Sequence, residues 1–524
     1  MDGSDSSPRF AGGDDDAEAD PVWKSRPASP AVTAGSQTGM APESPAGTGT
    51  LGGHLKTFPF EENGRRIDVD TGPVFFNTHA SPNFESLLDY LGIQTSEGGL
   101  GFGFSQGNRI FQWGSSLLKD VFFRPGAFCN LETWQTIFDI VRFKYLADDA
   151  LASEVEDLGF LPSVRDYLAE ESYSHSFCEN YLVPLLSTLW KTNAAKCLPS
   201  FPVKSLVRFL HDHGILSTSG QTPEWYKIQG GAQELIKAMT REVPAHRIHL
   251  RARVVNIERG STKGAFSLCT SDGQSHSFDH IIFAVDGEEV LDICGSLLDV
   301  QEADIISELR TSKTVGVLHS DPSLMPNDTQ RWSACNYITN PCPGFKSSRP
   351  QACLTIWAND IHNIPSSTFG DVFITLNPFT PPHPRLVQGV WEYTSPELSA
   401  SALNAQRELP TIQNIKGLSY CGSWTGCNFY EETVTNGLKV AVDHLGAELP
   451  FQLLDHQRQE LVYTASAFAS GAFSSLKNMV MRMVLRLVGF YICVGRILLR
   501  LLGLISVVRF AAGSSSHAKA LKSA

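Results

Sequence analysis

Leu418-Ser419-Tyr420-Cys421-Gly422-Ser423-Trp424-Thr425-Gly426-Cys427-Asn428-Phe429-Tyr430-Glu431-Glu432, closing with Asn436-Gly437-Leu438-Lys439-Val440-Ala441, is the stretch that decides the fold. A short apolar run enters glycines, and a helical pattern follows. Glycine lets bare backbone approach a ligand, and a helix N-terminus offers free N–H groups to negative charge. Outward from it, β-branched runs predict strands at Ile67–Phe76, Arg247–Ile257, Phe278–Val285, Thr314–Leu318, Ala352–Trp357, Asp371–Leu376 and Leu418–Cys421. Apolar spacing of three and four predicts helices at Ser81–Leu91, Leu131–Ala147, Ser205–His213 and Gly231–Glu242. The class is α/β or α+β.

The 524 residues carry 42 Lys+Arg against 55 Asp+Glu, a net charge of −13, and are 42% hydrophobic. That is globular composition, and its acidity argues against non-specific nucleic-acid binding, which needs a cationic surface. None of the eleven cysteines forms a CxxC pair, so no zinc site or disulfide framework is expected and a reducing compartment is.

Charge divides the chain. Residues 1–50 hold eight acids and three bases among Ser, Gly, Pro and Ala, and read as a disordered tail without a secretory signal. Gly47-Thr48-Gly49-Thr50-Leu51-Gly52 matches GxGxxG formally, but Pro42, Ser44 and Pro45 stand where a buried strand is needed. The enzyme-like body spans 51–445, with a mostly helical insertion over about 120–220 on the substrate side. A linker follows over 446–473, then a helical segment over 474–510 and a second tail over 511–524.

Several motifs stand in consistent order across about residues 50–445. They are Gly52-Gly53-His54, Val69-Asp70-Thr71-Gly72-Pro73-Val74-Phe75-Phe76-Asn77, Pro82-Asn83-Phe84, Phe209-Leu210-His211-Asp212-His213-Gly214, Trp225-Tyr226-Lys227-Ile228-Gln229-Gly230-Gly231, Phe278-Asp279-His280 and the Gly422 stretch. Together they resemble the FAD-containing amine oxidoreductase superfamily. Within it they are similar to predicted NAD/FAD-binding proteins associated with cyclopropane fatty acid synthases. The resemblance implies a two-domain, Rossmann-like FAD fold and FAD as cofactor. It also implies a strand–GxGxxG–helix–strand unit ahead of Gly52, where the tail stands instead, so the N-terminal βαβ unit is expected to be incomplete. Asn428, Tyr430 and Asn436 replace an expected Gly, His and Ser.

By that resemblance Gly52, Gly53, Asp70, Thr71, Gly72, Val254, Val255, Gly422, Ser423, Trp424, Glu431 and Gly437 are the cofactor-binding candidates. Lys227, Trp424 and Tyr430 are the catalytic candidates. Lys227 either reaches the flavin N5 edge through water or merely faces solvent. Trp424, Phe429 and Tyr430 either line a substrate cavity or are core aromatics. Glu431 and Glu432 are acid–base groups, or else solvated or capping residues. No metal site is expected, because His211 and His213 alternate on a helix and point apart.

After Glu460 there are eight bases and no acid. At roughly 100° per residue, Arg482, Arg486, Arg496 and Arg500, with Gly489 and Cys493, fall within one arc of roughly 80°. The remaining surface is apolar. This pattern predicts a helix lying in a membrane interface with its cations near anionic headgroups, a tilted span being the rival and packing on the body the third reading. The expectation is therefore an intracellular FAD-dependent oxidoreductase, membrane-associated on the cytosolic side. It would take a hydride from a C–C or C–N bond of an acyl lipid or a hydrophobic secondary metabolite. The alternative is a flavin-free, membrane-associated scaffold or partner subunit. Oligomeric state is open.

Overall fold

The computed structural model describes residues 51–454 apart from 73–74, 99–100, 107–111, 114–130, 152–161, 191–197, 217–223, 261–264, 341–350 and 427–428, together with 479–492, 494–495 and 498. The expectations for residues 1–50 and 511–524 lie outside the described residues.

The described residues open on a hairpin, β1 (Thr57–Glu62) and β2 (Arg65–Asp70), in antiparallel register from Thr57↔Asp70 to Glu62↔Arg65. Its turn is Asn63-Gly64, both at positive φ, the tight connection that suits twisted strands. β3 (Phe75–Asn77) follows, so the run Ile67–Phe76 is two strands broken at Asp70-Thr71-Gly72. Helix α1 (Pro82–Leu91) ends on Gly92 in the left-handed conformation. β3 and β4 (Thr95–Glu97) flank β7 (Trp225–Ile228) in a three-stranded sheet.

Among the described residues the main sheet has seven strands. Its members are β5 (Phe102–Gln106), β6 (Gln112–Trp113), β12 (Thr311–His319), β13 (Cys335–Asn340), β14 (Gln351–Trp357), β15 (Phe373–Leu376) and β16 (Val387–Pro396), in the order β16-β12-β15-β14-β13-β5-β6. Only β13–β5 is parallel among these pairings. Helices α2 (Leu131–Leu146), α3 (Val164–Glu170), α4 (Val183–Trp190) and α5 (Val203–Asp212) share one apolar core with this sheet.

A second core joins β8 (Val254–Arg259), β9 (Phe266–Thr270), β11 (Ile281–Phe283), β17 (Leu418–Tyr420), and helices α7 (Gly287–Cys294), α8 (Val300–Glu308) and α10 (Ala400–Glu408). The long apolar run Phe278–Val285 is split at Asp279-His280. β10 (Ser275–Phe278) finishes an antiparallel ladder with β9, and β11 then runs parallel to β17. Two further helices bear on the site: α6 (Ala232–Thr240) after β7, and α9 (Ala358–His362) after β14. α11 (Tyr430–Lys439) completes the strand–turn–helix unit read from the sequence.

Residues 479–492 are helical. Arg482 and Arg486 both reach Asp149 on the body, the latter at 2.6 Å, instead of standing free as headgroup ligands. A half-exposed carboxylate holds both guanidinium groups by charge-assisted bonds at close range. Among the described residues no helix is long and apolar enough to cross a membrane.

Candidate functional site

Asp70 ends β2 and is only 6% exposed. Its carboxylate accepts from the Thr57 hydroxyl at 2.8 Å and from the Ala232 backbone N–H, also at 2.8 Å, at the start of α6. An anion there satisfies a free N–H and meets the positive end of the helix dipole. Gly231 supplies the turn into α6 with φ +77. The Thr71 amide and hydroxyl both donate to the Lys56 carbonyl at 2.9 Å, and the Tyr393 hydroxyl donates to the Thr71 carbonyl. Burial holds the Lys56 ammonium below its ordinary range and pushes the Tyr393 phenol up to about 12.

His362, the last residue of α9, lies beside Asp70 and Lys227. Its Nε2 is buried without a hydrogen-bond partner. Burial drives its imidazole below the ordinary histidine value, against the opposing pull of Asp70, so the ring is neutral near pH 7. The Lys227 ammonium donates to the Ile361 carbonyl at 2.8 Å. Tyr430 stacks on Phe84 with centroids 5.4 Å apart, and burial raises its phenol.

The glycine turn opens from the carboxyl ends of β11 and β17, where the Cys421 N–H donates to the Phe283 carbonyl at 2.8 Å. Ligands of parallel α/β sheets lie at such ends. Gly422 has φ +124, and a Cβ there would come 3.2 Å from the Trp424 ring. Ser423 and Trp424 form the following single turn; Trp424 is 1% exposed and its Nε1 has no partner. The Gln406 amide holds this turn by donating to the carbonyls of Trp424 at 3.3 Å and Gly426 at 3.1 Å. The turn packs on β16, which carries Tyr393, and so joins the Asp70 cluster.

The other candidates are placed as follows. Gly52 (φ +120) sits so close to α6 that a Cβ would lie 2.5 Å from Ile236 Cδ1. Gly53 and Gly437 face open space, with nothing within 4 Å of a Cβ position. Gly72 follows Thr71 in the turn and is partly buried. Val254 packs on the second core, while Val255 is the extra residue of a bulge and is 49% exposed. Glu431 is 2% exposed and turns its carboxylate to the Asn83 and Phe84 N–H groups, at 3.2 and 2.9 Å.

Gly52, Asp70, Thr71, Lys227 and Tyr430 thus come together, and Gly422–Trp424 adjoins them through β16. His362, Tyr393 and the Gly231 contact escaped the sequence reading. His362 follows Ala358-Asn359-Asp360-Ile361, which has no motif character. The Gly230-Gly231 pair ahead of a helical pattern was a usable signal.

Beside Tyr430 is an aromatic wall. Phe429 lies 4.5 Å from Phe209, 5.3 Å from His213 and 5.8 Å from Trp190, centroid to centroid. Trp225 adds to it, 6.1 Å from His213. His213 is committed there, its Nδ1 2.9 Å from the Phe209 carbonyl, whereas His211 pairs with Asp212 at the surface. Among the described residues no group of three or more His, Cys, Asp or Glu converges as a metal site.

Residues 47–317 match the family model of flavin-containing amine oxidoreductases, just over half of the chain. No curated protein matches the chain. Among solved structures, wild-type putrescine oxidase bound to putrescine is similar at TM-score 0.50 and 12% identity, covering 76% of this chain and 92% of that one. Cyclohexylamine oxidase from Brevibacterium oxydans IH-35A gives TM-score 0.48 at 15% identity, covering 74% and 90%. A fatty acid isomerase from P. acnes that produces CLA gives 0.47 at 13%, covering 76% and 90%. At these identities the likeness is one of fold.

Proposed function

The chain belongs to the flavin-containing amine oxidoreductase family, and from this we propose that it takes a hydride from a C–C or C–N bond of a lipophilic substrate. It is an FAD-dependent oxidoreductase. The residues present fit the cofactor. Gly53 and Gly437 leave backbone open, Gly422 turns at the strand ends, and His362 Nε2 and Trp424 Nε1 are buried polar atoms in want of a partner. Gly52, Gly53, Asp70–Gly72 and Gly422–Trp424 would hold it, with Val254, Val255 and Gly437 along its length.

FAD, when bound, supplies the two-electron acceptor; the protein's part is to bind, orient and insulate. Asp70 fixes the Thr71 turn to α6, so the backbone there is preorganised. Lys227 and the neutral His362 place one cation and one uncharged proton carrier side by side. His362 Nε2 is suited to hold or accept a proton during substrate oxidation. Tyr393 fixes the Thr71 carbonyl, and Tyr430 stays a neutral phenol against Phe84.

The single observation behind the lipophilic reading is the aromatic wall at Phe429, Phe209, Trp190 and Trp225, which joins the substrate-side helices to Tyr430. Such a wall favours an apolar chain over a small dication. The test is the absorbance of the purified full-length protein, followed by anaerobic mixing with a long-chain alkylamine, an unsaturated fatty acid and putrescine. A flavin spectrum bleached by either long-chain compound, and slowed by Phe429→Ala, is the expected result. Bleaching by putrescine alone overturns the lipophilic reading. A folded, colourless protein overturns the enzyme and leaves the scaffold alternative.

A further inference from the structure

We propose that the helix over residues 479–492 is a seat for an anionic lipid bilayer, clamped to the body by Asp149 so that its apolar face points outward. The inference is independent of the redox reading.

An amphipathic helix on a globular protein ordinarily buries its apolar stripe and shows its charges to water. Here the orientation is reversed. Arg482 and Arg486 turn inward, and both ion-pair with Asp149, which lies in the single turn Ala147–Ala150 after α2. Leu485 is buried on the same side, 6% exposed, and Gly489 has Phe138 of α2 within 3.8 Å of its Cβ position. Positions 482, 485, 486 and 489 share one helical face. The opposite face carries Met483 at 68% exposure, Leu487 at 55%, Phe490 at 62% and Tyr491 at 65%. A row of large apolar side chains held out in water marks a surface that meets something apolar.

Charge and composition choose the occupant. The sequence after Glu460 has eight bases and no acid, and a segment of that charge suits anionic headgroups. Phe490 and Tyr491 stand together, centroids 5.9 Å apart, and the Tyr491 ring, with an apolar body and a polar tip, favours the headgroup boundary. Among the described residues no helix is long and apolar enough to cross a bilayer, and the proposal seats this one along the surface. Neither bond to Asp149 is deeply buried, which makes the clamp releasable.

The experiment uses the full chain and vesicles of phosphatidylcholine with and without phosphatidylserine, in low salt. The unsubstituted protein is expected to pellet with the serine-containing vesicles and much less with the neutral ones. Combined Met483→Glu, Leu487→Glu and Phe490→Glu should leave it in the supernatant with an unchanged circular dichroism spectrum and melting temperature, because all three side chains are exposed. Asp149→Lys repels both arginines, so trypsin should cut after Arg482 and Arg486 about tenfold faster without vesicles, as local opening exposes those bonds. Failure of the unsubstituted protein to pellet, equal pelleting of the triple variant, or equal binding to both vesicle types overturns the lipid assignment. So does a dimer, free of vesicles, that the triple variant converts to monomer, since a second copy then covers the face. Unchanged cleavage in Asp149→Lys overturns the clamp.

Discussion

Gly231 and Asp70, far apart in sequence, are packed so tightly that a Cβ on Gly231 would lie 2.3 Å from Asp70 Oδ2. No side chain fits between α6 and the carboxylate that caps it. Gly231→Ala adds that clash to an unfavourable φ of +77. We expect a loss of about 2 kcal/mol or more in stability, together with loss of bound flavin. Thermal melting and flavin content of the purified variant check both; a variant as stable and as yellow as the parent would show that the contact yields at no cost.

His362 tests function against stability. Its Nε2 is buried and unpartnered, while the ring also hydrogen-bonds the Asp70 backbone, so an apolar replacement of similar size removes one orphaned polar atom and one bond. His362→Leu should cost no more than about 1–2 kcal/mol of stability while the rate of flavin reduction by substrate falls about tenfold or more. Unchanged reduction would remove His362 from the site.

Glu431 does for α1 what that helix's own N-cap does not: Ser81 makes no side-chain cap, and the Glu431 carboxylate takes the Asn83 and Phe84 N–H groups. Glu431→Ala should cost about 2–3 kcal/mol, and Glu431→Gln, which keeps one acceptor oxygen, about half of that. Urea unfolding midpoints measure the difference.

His319 sets an acid limit. Burial pushes its imidazole down to about 4 against the pull of Asp321, with Nε2 2.7 Å from the Thr375 hydroxyl and Nδ1 accepting from the Asp321 amide. The unfolded chain takes up that proton near its ordinary value, about 6.5, and the folded chain only far lower. This contribution is therefore full above about 6.5 and is lost as pH falls towards 4. Between pH 7 and pH 5 it amounts to about 2 kcal/mol. His319→Gln should flatten the pH dependence of unfolding by that amount; parallel curves would place the acid sensitivity elsewhere.

Much of the scaffold was legible where the signal is local. Ser81–Leu91 and Leu131–Ala147 announced helices, and structure places them at Pro82–Leu91 and Leu131–Leu146. Asn63-Gly64 is an equally local hairpin signal. Phe278–Val285 reads as one strand because its apolar content is continuous, yet Asp279-His280 redirects the chain from one sheet to another. Composition cannot report a change of partner.

By itself, the chain's order of residues determined the family, the glycine turn after β17 and which residues share a face of the C-terminal helix. These follow from backbone freedom and periodicity, properties carried by neighbours in sequence. Only the tertiary structure decided that His362 stands beside Asp70, that Glu431 caps α1 and that the arginine face of residues 479–492 turns inward to Asp149. Each joins segments distant along the chain, and such contacts are fixed by packing and desolvation once the core has closed.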